Sequence, residues 1–269
     1  YSMYIIRTGG RFGNNIIQLI NCIRLALQTK VGRIKYDFDF MSDDHIDLNT
    51  EPTTTVITGE FKRHEELVAL FAEFNRDVYD QCYIATTYIK PLLRFSFESD
   101  IDANGLYVHI RSGDLFNDVG WVSPHYTQPP LDYYVQLFAK YKDKHKYVYV
   151  EDHKNPVVDR LIELYPDISI KTVDIDELFR VFVNAEYVVS GNGTLILSIL
   201  LFSTRLKRHY TTGAGGWHGG GIPFLKDELK TQRTVLVTFP TYITAWRNTK
   251  EQRQRMLTYT GTVLTPDTV

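Results

Sequence analysis

The stretch Leu106-Tyr107-Val108-His109-Ile110-Arg111-Ser112-Gly113-Asp114 decides the fold. Its first five residues are aliphatic, aromatic or imidazole. They follow a polar, turn-forming segment, residues 99–105, and end abruptly on a base, a Ser-Gly turn and an acid. A short apolar run bounded in this way reads as a strand buried inside a parallel sheet. Working outward, residues 147–150, 168–170, 187–189, 205–210 and 234–239 read as further strands. Amphipathic stretches at 131–141, 156–165, 175–184 and 194–202 separate them. Such a train of βα units predicts an α/β fold with an open, doubly wound parallel sheet, in which ligands bind outside the carboxyl ends of the strands.

The first hundred residues repeat the theme more loosely. Residues 3–7 read as a strand, 14–29 as a helix, 34–38 and 55–58 as strands, and 65 to about 93 as helical. The polar stretch 99–105 is the expected boundary. The expectation is therefore two Rossmann-like domains facing a cleft, residues 1–100 and 105–241. Residues 242–259 read as a helix returning across to the first domain, with a frayed tail to 269.

Composition bounds the function. The 269 residues carry 30 Lys plus Arg against 32 Asp plus Glu, with 43% hydrophobic and 13% aromatic residues, the balance of a folded globular protein. A net charge of −2 gives no overall attraction to a phosphate backbone, so no nucleic-acid partner is expected. The two cysteines, Cys22 and Cys82, lie in apolar helical segments and read as buried thiols rather than a disulfide or metal ligands. No apolar run is long enough to span a bilayer. The sequon Asn192-Gly193-Thr194 falls where ligand recognition is placed, a poor position for a glycan. A soluble, cytoplasmic protein is the expectation, with a trimmed upstream Golgi-type anchor as the alternative.

Several constellations bear on chemistry. Strand alternation puts His109 and Arg111 on one face, and an Arg fork at a strand's carboxyl end suits bidentate capture of a diphosphate, with Asp114 holding the fork or a ribose hydroxyl. A buried Arg–Asp pair closing the strand is an equal reading. Ser190-Gly191-Asn192-Gly193-Thr194 passes from strand to helix, so the N–H groups of Gly193 and Thr194 suit a phosphate; a plain tight turn capped by Thr194 is the alternative. Gly9-Gly10-Arg11-Phe12-Gly13-Asn14 lacks the dinucleotide spacing, and its Asn14 either caps a helix or reaches a substrate. Asp37-Phe38-Asp39 has the Asp-x-Asp spacing of metal-dependent sugar transferases, but the same spacing recurs at Asp100 with Asp102 and at Asp174 with Asp176. Asp37 and Asp39 therefore read as solvated or acceptor-side carboxylates, either of them a candidate general base, and Glu60 competes for that role. Gly213 to Gly221, carrying Trp217 and His218, reads as a lid or a mobile surface loop.

Together these residues resemble the fucosyltransferase superfamily of α-1,2-, α-1,6- and protein O-fucosyltransferases. Gly10-Arg11-Phe12-Gly13-Asn14 resembles its Gly-x-x-Gly-Asn turn, and His109-Ile110-Arg111-Ser112-Gly113-Asp114 its His-x-Arg-x-x-Asp donor motif. Asn192-Gly193-Thr194-Leu195 falls at its Ser/Thr-rich turn, and Gly59-Glu60-Phe61 faintly matches its Gly-Tyr-Phe/Trp-Gln segment. The resemblance implies a GT-B-like, metal-independent, inverting glycosyltransferase with GDP-fucose as co-substrate, no further cofactor, and a glycan or glycoconjugate acceptor. Arg111 would neutralise the leaving phosphate. His109, Asp114, Asn192, Gly193 and Thr194 would line the donor together with Gly10, Arg11 and Gly13, and Asn14 would sit at the reacting centre. The sequence departs from the family where its second Arg is Ser112. Glu151 and Asp152, after the next strand, suit ribose or base without selecting guanine over uracil, so a UDP-sugar donor such as UDP-xylose is the alternative. A non-catalytic glycan-binding protein on the same fold is the contrasting reading.

Overall fold

A computed structural model describes residues 3–6, 11–48, 81–118, 124, 126–212 and 233–264. The chain forms two compact units, residues 1–96 with 194–202, and residues 97–193 with 203–269. Gly10, Glu60, Trp217 and His218, the expected strand at 55–58 and most of the expected helical region 65–93 lie outside the described residues.

In the first unit β1 (Met3–Ile5), α1 (Phe12–Thr29) and β2 (Arg33–Lys35) make a βαβ crossover, and β3 (His45–Asp47) pairs antiparallel to β2 with Ile34 opposite Ile46. Apolar residues at helical spacing, Ile16, Leu19, Ile20 and Ile23, are fully buried, and the helix stops where Lys30 turns left-handed. It starts two residues earlier than expected, at Phe12 after the N-cap Arg11, so Asn14 lies inside the first turn and is not the cap. Among the described residues a further helix of this unit is α2 (Gln81–Ile84).

The helix following the fourth expected strand of the βα train, α6 (Thr194–Leu200; α3 to α5 are given below), belongs to this first unit. It packs on α1, where Ser198 Oγ donates to the Gly13 carbonyl at 3.0 Å. A Cβ on Gly13 would lie 2.7 Å from the Thr194 carbonyl carbon and 2.8 Å from the Leu195 nitrogen, so only glycine permits this backbone approach. Tyr36, Phe38 and Phe40 turn inward with successive rings stacked at 5.3 Å, which leaves Asp37 and Asp39 on the exposed side.

The second unit is the expected doubly wound sheet. Its six strands, β4 (Gly105–Ile110), β5 (His145–Val150), β6 (Ser169–Lys171), β7 (Tyr187–Ser190), β8 (Arg208–Thr212) and β9 (Thr234–Val237), are all parallel in the order β6-β5-β4-β7-β8-β9. Every residue of β4 is buried, as its central position requires. Leu106, Val108 and Ile110 face the core shared with α3 (Leu131–Lys140) and α4 (Pro156–Leu164). Tyr107 and His109 face the side of α5 (Ile175–Asn184), where Phe182 lies edge-on to His109.

The C-terminal segment departs from expectation. Only α7 (Lys250–Thr258) is helical, and it packs on α3 and α4 within the second unit rather than returning to the first. Left-handed backbone at Thr241 and Asn248 breaks the longer helix, and Thr249 restarts it by accepting the Gln252 N–H at 3.2 Å. Cys22 is buried with its thiol pKa raised by burial, whereas Cys82 is half-exposed; neither is in a disulfide. No described helix is long and apolar enough to cross a membrane.

Gly13→Ala is expected to destabilise the protein by about 1–3 kcal/mol, the usual cost of forcing packed backbone apart, read as a lower midpoint in urea unfolding. An unchanged midpoint would refute the close approach of α1 and α6.

Candidate functional site

Strand register builds the central cluster. Ile110 pairs with Val150, so the residues that follow, Arg111 and Glu151, leave adjacent strand ends side by side. The Arg111 guanidinium, 18% exposed, donates through Nη1 to Glu151 and through Nη2 to Asp114 Oδ1 at 2.6 Å. Gly113 adopts φ 59°, and a Cβ there would meet Glu151 Oε2 at 2.5 Å, so this turn too requires glycine. Arg111, Asp114, Glu151 and Asp152, singled out from the sequence, thus come together at the carboxyl ends of β4 and β5.

Two further residues, Ser112 and Asn155, hold the cluster and were not assigned roles from the sequence. Ser112 Oγ donates to Asp152, whose Oδ1 also accepts the Lys154 N–H at 2.9 Å. Burial raises the Asp152 carboxyl pKa, but these hydrogen bonds and the charge of Lys154 bring it net below its ordinary value. Fully buried Asn155 donates its N–H to Ser112 Oγ at 3.1 Å and its Nδ2 to the Arg111 carbonyl at 3.0 Å, while Oδ1 caps α4 by accepting the Val157 N–H. The signal for it was present: Asn followed by Pro is a helix-start signature. On the far side, Trp246 Nε1 donates to the Leu115 carbonyl at 2.9 Å and Arg253 Nη2 to the Phe116 carbonyl at 3.0 Å, bracing the 3-10 turn Gly113–Phe116.

His109 is buried, and desolvation, aided by the Arg111 charge, lowers its pKa to about 3. It is neutral near pH 7. At the end of β7, the Ser190 carbonyl accepts from Tyr133 at 2.9 Å, Ser190 Oγ lies 2.8 Å from His209 Nε2, and Thr211 Oγ1 donates to the Gly191 carbonyl at 3.1 Å. Asn192 is buried. Gly193 has open space where a Cβ would stand, among the described residues.

Thr194 Oγ1 donates to Asn14 Oδ1 at 2.8 Å, so Asn14, Gly13 and Thr194 form a separate contact between α1 and α6 in the first unit. Thr194 is the first residue of its helix rather than the cap. Arg11, Asp37 and Asp39 are exposed in that unit. Among the described residues no group of three or more His, Cys, Asp or Glu side chains could hold a metal ion.

Ser112→Ala strips the donor from Asp152 and the acceptor from the buried Asn155 N–H. Its expected cost is about 1–3 kcal/mol in urea unfolding, and an unchanged midpoint would show that the bonds are dispensable. A pH test addresses the buried imidazoles. His109 and His209, the latter also lowered to about 3 by burial, have folded pKa values below the unfolded value. The stability tied to their neutral forms is full above about pH 6.5 and falls as pH drops toward 3, by up to about 1.4 kcal/mol per pH unit for each histidine. His209→Asn should therefore flatten the decline in stability between pH 6.5 and 4.5; an unaltered slope would refute neutral burial of His209.

No protein-family model and no curated protein sequence matches the chain. Among solved structures, Escherichia coli heptosyltransferase WaaC with ADP is similar at a TM-score of 0.44 and 14% identity, over 82% of this chain and 91% of that one. The same enzyme with ADP-2-deoxy-2-fluoro heptose is similar at a TM-score of 0.41 and 14% identity, over 86% and 98%.

Proposed function

We propose that the chain is a metal-independent, inverting glycosyltransferase of GT-B-like fold, with GDP-fucose as donor and a glycan hydroxyl as acceptor. The observation that carries this reading is the position of Arg111. Numbered from β4, the sheet has the strand order 3-2-1-4-5-6, and its topological switch lies between β4 and β7. Arg111 leaves the carboxyl end of β4 and the Ser190-to-Gly193 turn leaves β7, so both flank the crevice where such sheets take ligands. The donor motif resemblance, His109-Ile110-Arg111-Ser112-Gly113-Asp114, falls on the same strand end.

In this reaction the acceptor oxygen bonds the anomeric carbon as the bond to the distal phosphate oxygen breaks, the acceptor proton passes to a carboxylate base, and configuration inverts. Charge develops on the leaving diphosphate. An Arg fork preset in a partly desolvated site stabilises that charge more in the transition state than in the ground state. Asp114 and Glu151 occupy the fork and keep the guanidinium oriented; donor binding would exchange at least one carboxylate for a phosphate oxygen. Gly193, with open space beside it, lets phosphate approach the backbone. Asp37, Asp39 and Glu60 are the candidate bases, and Trp217 with His218 a candidate lid.

A second reading, a glycan-binding protein without transfer activity, is favoured by one observation. Arg111 is already paired with two carboxylates, and Asn14 with Thr194, so both expected ligand contacts also serve the fold.

Thermal-shift titrations with GDP, UDP, ADP and GDP-fucose, with and without EDTA, separate the two. A ligand-specific rise in Tm by GDP species that survives EDTA is expected, with affinity at least about tenfold weaker in Arg111→Ala, equivalent to about 1.4 kcal/mol. Selective stabilisation by UDP species would move the donor assignment, and no shift from any nucleotide would overturn the enzyme reading.

A further inference from the structure

A second recess lies in the same unit on the other side of its chemistry. It is a groove of about 680 Å³, within the size range of small-molecule sites, and shares no residue with the Arg111 cluster. Register builds its floor: Tyr107 stands opposite Tyr147 and Tyr149 opposite Lys171, so alternation places all four on the α5 face of the sheet. Glu177, Arg180 and Val181, one turn of α5, make one wall, and residues 98–102 make the other. The wall at 98–102 is fixed in place, because the Asp102 carbonyl accepts from Tyr107 at 2.9 Å and its Oδ2 from Tyr147 at 3.1 Å.

The groove holds unspent hydrogen-bonding capacity. Arg180 Nε is buried without a hydrogen-bond partner, and among the described residues neither the Arg180 guanidinium nor the Lys171 ammonium is in an ion pair. Facing these donors are the carboxylates of Glu98, Asp100, Asp102 and Glu177, four anions against two cations. That surplus repels a phosphate, sulfate or carboxylate ligand. Closely mixed donors and acceptors suit a group that both donates and accepts, as a hydroxyl does. The Tyr147 ring, Ile101 and Val181 supply apolar surface for the C–H face of a sugar ring.

We propose that this groove is a binding site for an uncharged oligosaccharide, separate from the nucleotide crevice. Lys171 and Arg180 donate to its hydroxyl oxygens, and the carboxylates accept its hydroxyl protons. The site goes beyond the transferase reading and does not depend on it, since a glycan held here need not be the acceptor.

The test uses the full chain on a microarray carrying uncharged, sialylated and sulfated oligosaccharides, followed by calorimetric titration of the strongest uncharged binder with and without GDP. Binding of uncharged glycans, weakened at least tenfold in both Arg180→Ala and Lys171→Ala, is expected, with the glycan affinity unchanged in Arg111→Ala and unaffected by GDP. Lys171 is exposed, so Lys171→Ala keeps the test valid if Arg180→Ala fails to fold. No binding of any uncharged glycan, preference for the anionic ones, binding retained in Lys171→Ala, or displacement by GDP would each overturn the proposal. Because nucleotide binding is titrated separately, a chain that binds GDP but no glycan fails here alone, and one that binds glycan but no nucleotide fails the transferase reading alone.

Discussion

The second unit depends on the parallel pairing of β4 with β5. β4 is buried on every side, so the polar residues that follow it emerge from an apolar interior at one place and must be satisfied there. The Ile110–Val150 pair aligns the two strand ends, and from it follow the Arg111–Glu151 contact, the Ser112–Asp152 bond and the three bonds of Asn155. Slipping the register by one residue would separate each pair and turn the side chains of β4 to the opposite faces. A charged group is thus held at the sheet's end by hydrogen bonds that belong equally to the fold and to any chemistry performed there.

This double duty frames the electrostatics. A guanidinium flanked by two carboxylates contributes little free charge to its surroundings, and an incoming anion competes with both. The gain is orientation: the fork does not have to be ordered when the ligand arrives, which lowers the entropy cost of binding. His109 shows the same economy, since burial keeps it neutral beside Arg111 and spares the strand end a second positive charge.

Much of the second unit was legible in the sequence because its signals are local. Strands such as 106–110 and 187–189 declare themselves by short apolar runs, and helix 175–184 by its amphipathic spacing. The elements that escaped were decided by tertiary contact. β3 is three residues long, with one buried side chain, and no periodicity reveals it. The helix expected over 242–259 fits its composition until Thr241 and Asn248 turn left-handed, which is a backbone choice rather than a pattern. In the cluster, Arg111 and Asp114 were readable from their place at a strand end and Asn155 as a helix cap, whereas the bonds of Ser112 and Asn155 to the cluster arise only when β5 is laid beside β4. Gly13 carried a visible signal, but its cause, the approach of the distant helix Thr194–Leu200, lies outside any local reading.

The assignment of α6 to the first unit has a consequence for synthesis. The chain passes between units three times, after residues 96, 193 and 202, so no single cut divides it into two complete pieces. As the polypeptide leaves the ribosome, α1 and its glycine-bearing face exist long before the helix that covers them. The first unit cannot close until residue 202 has emerged, by which time the first four strands of the second unit are already present. The first unit, begun before the second, therefore closes only after most of the second unit's described strands exist, and until then the apolar face of α1 stays uncovered.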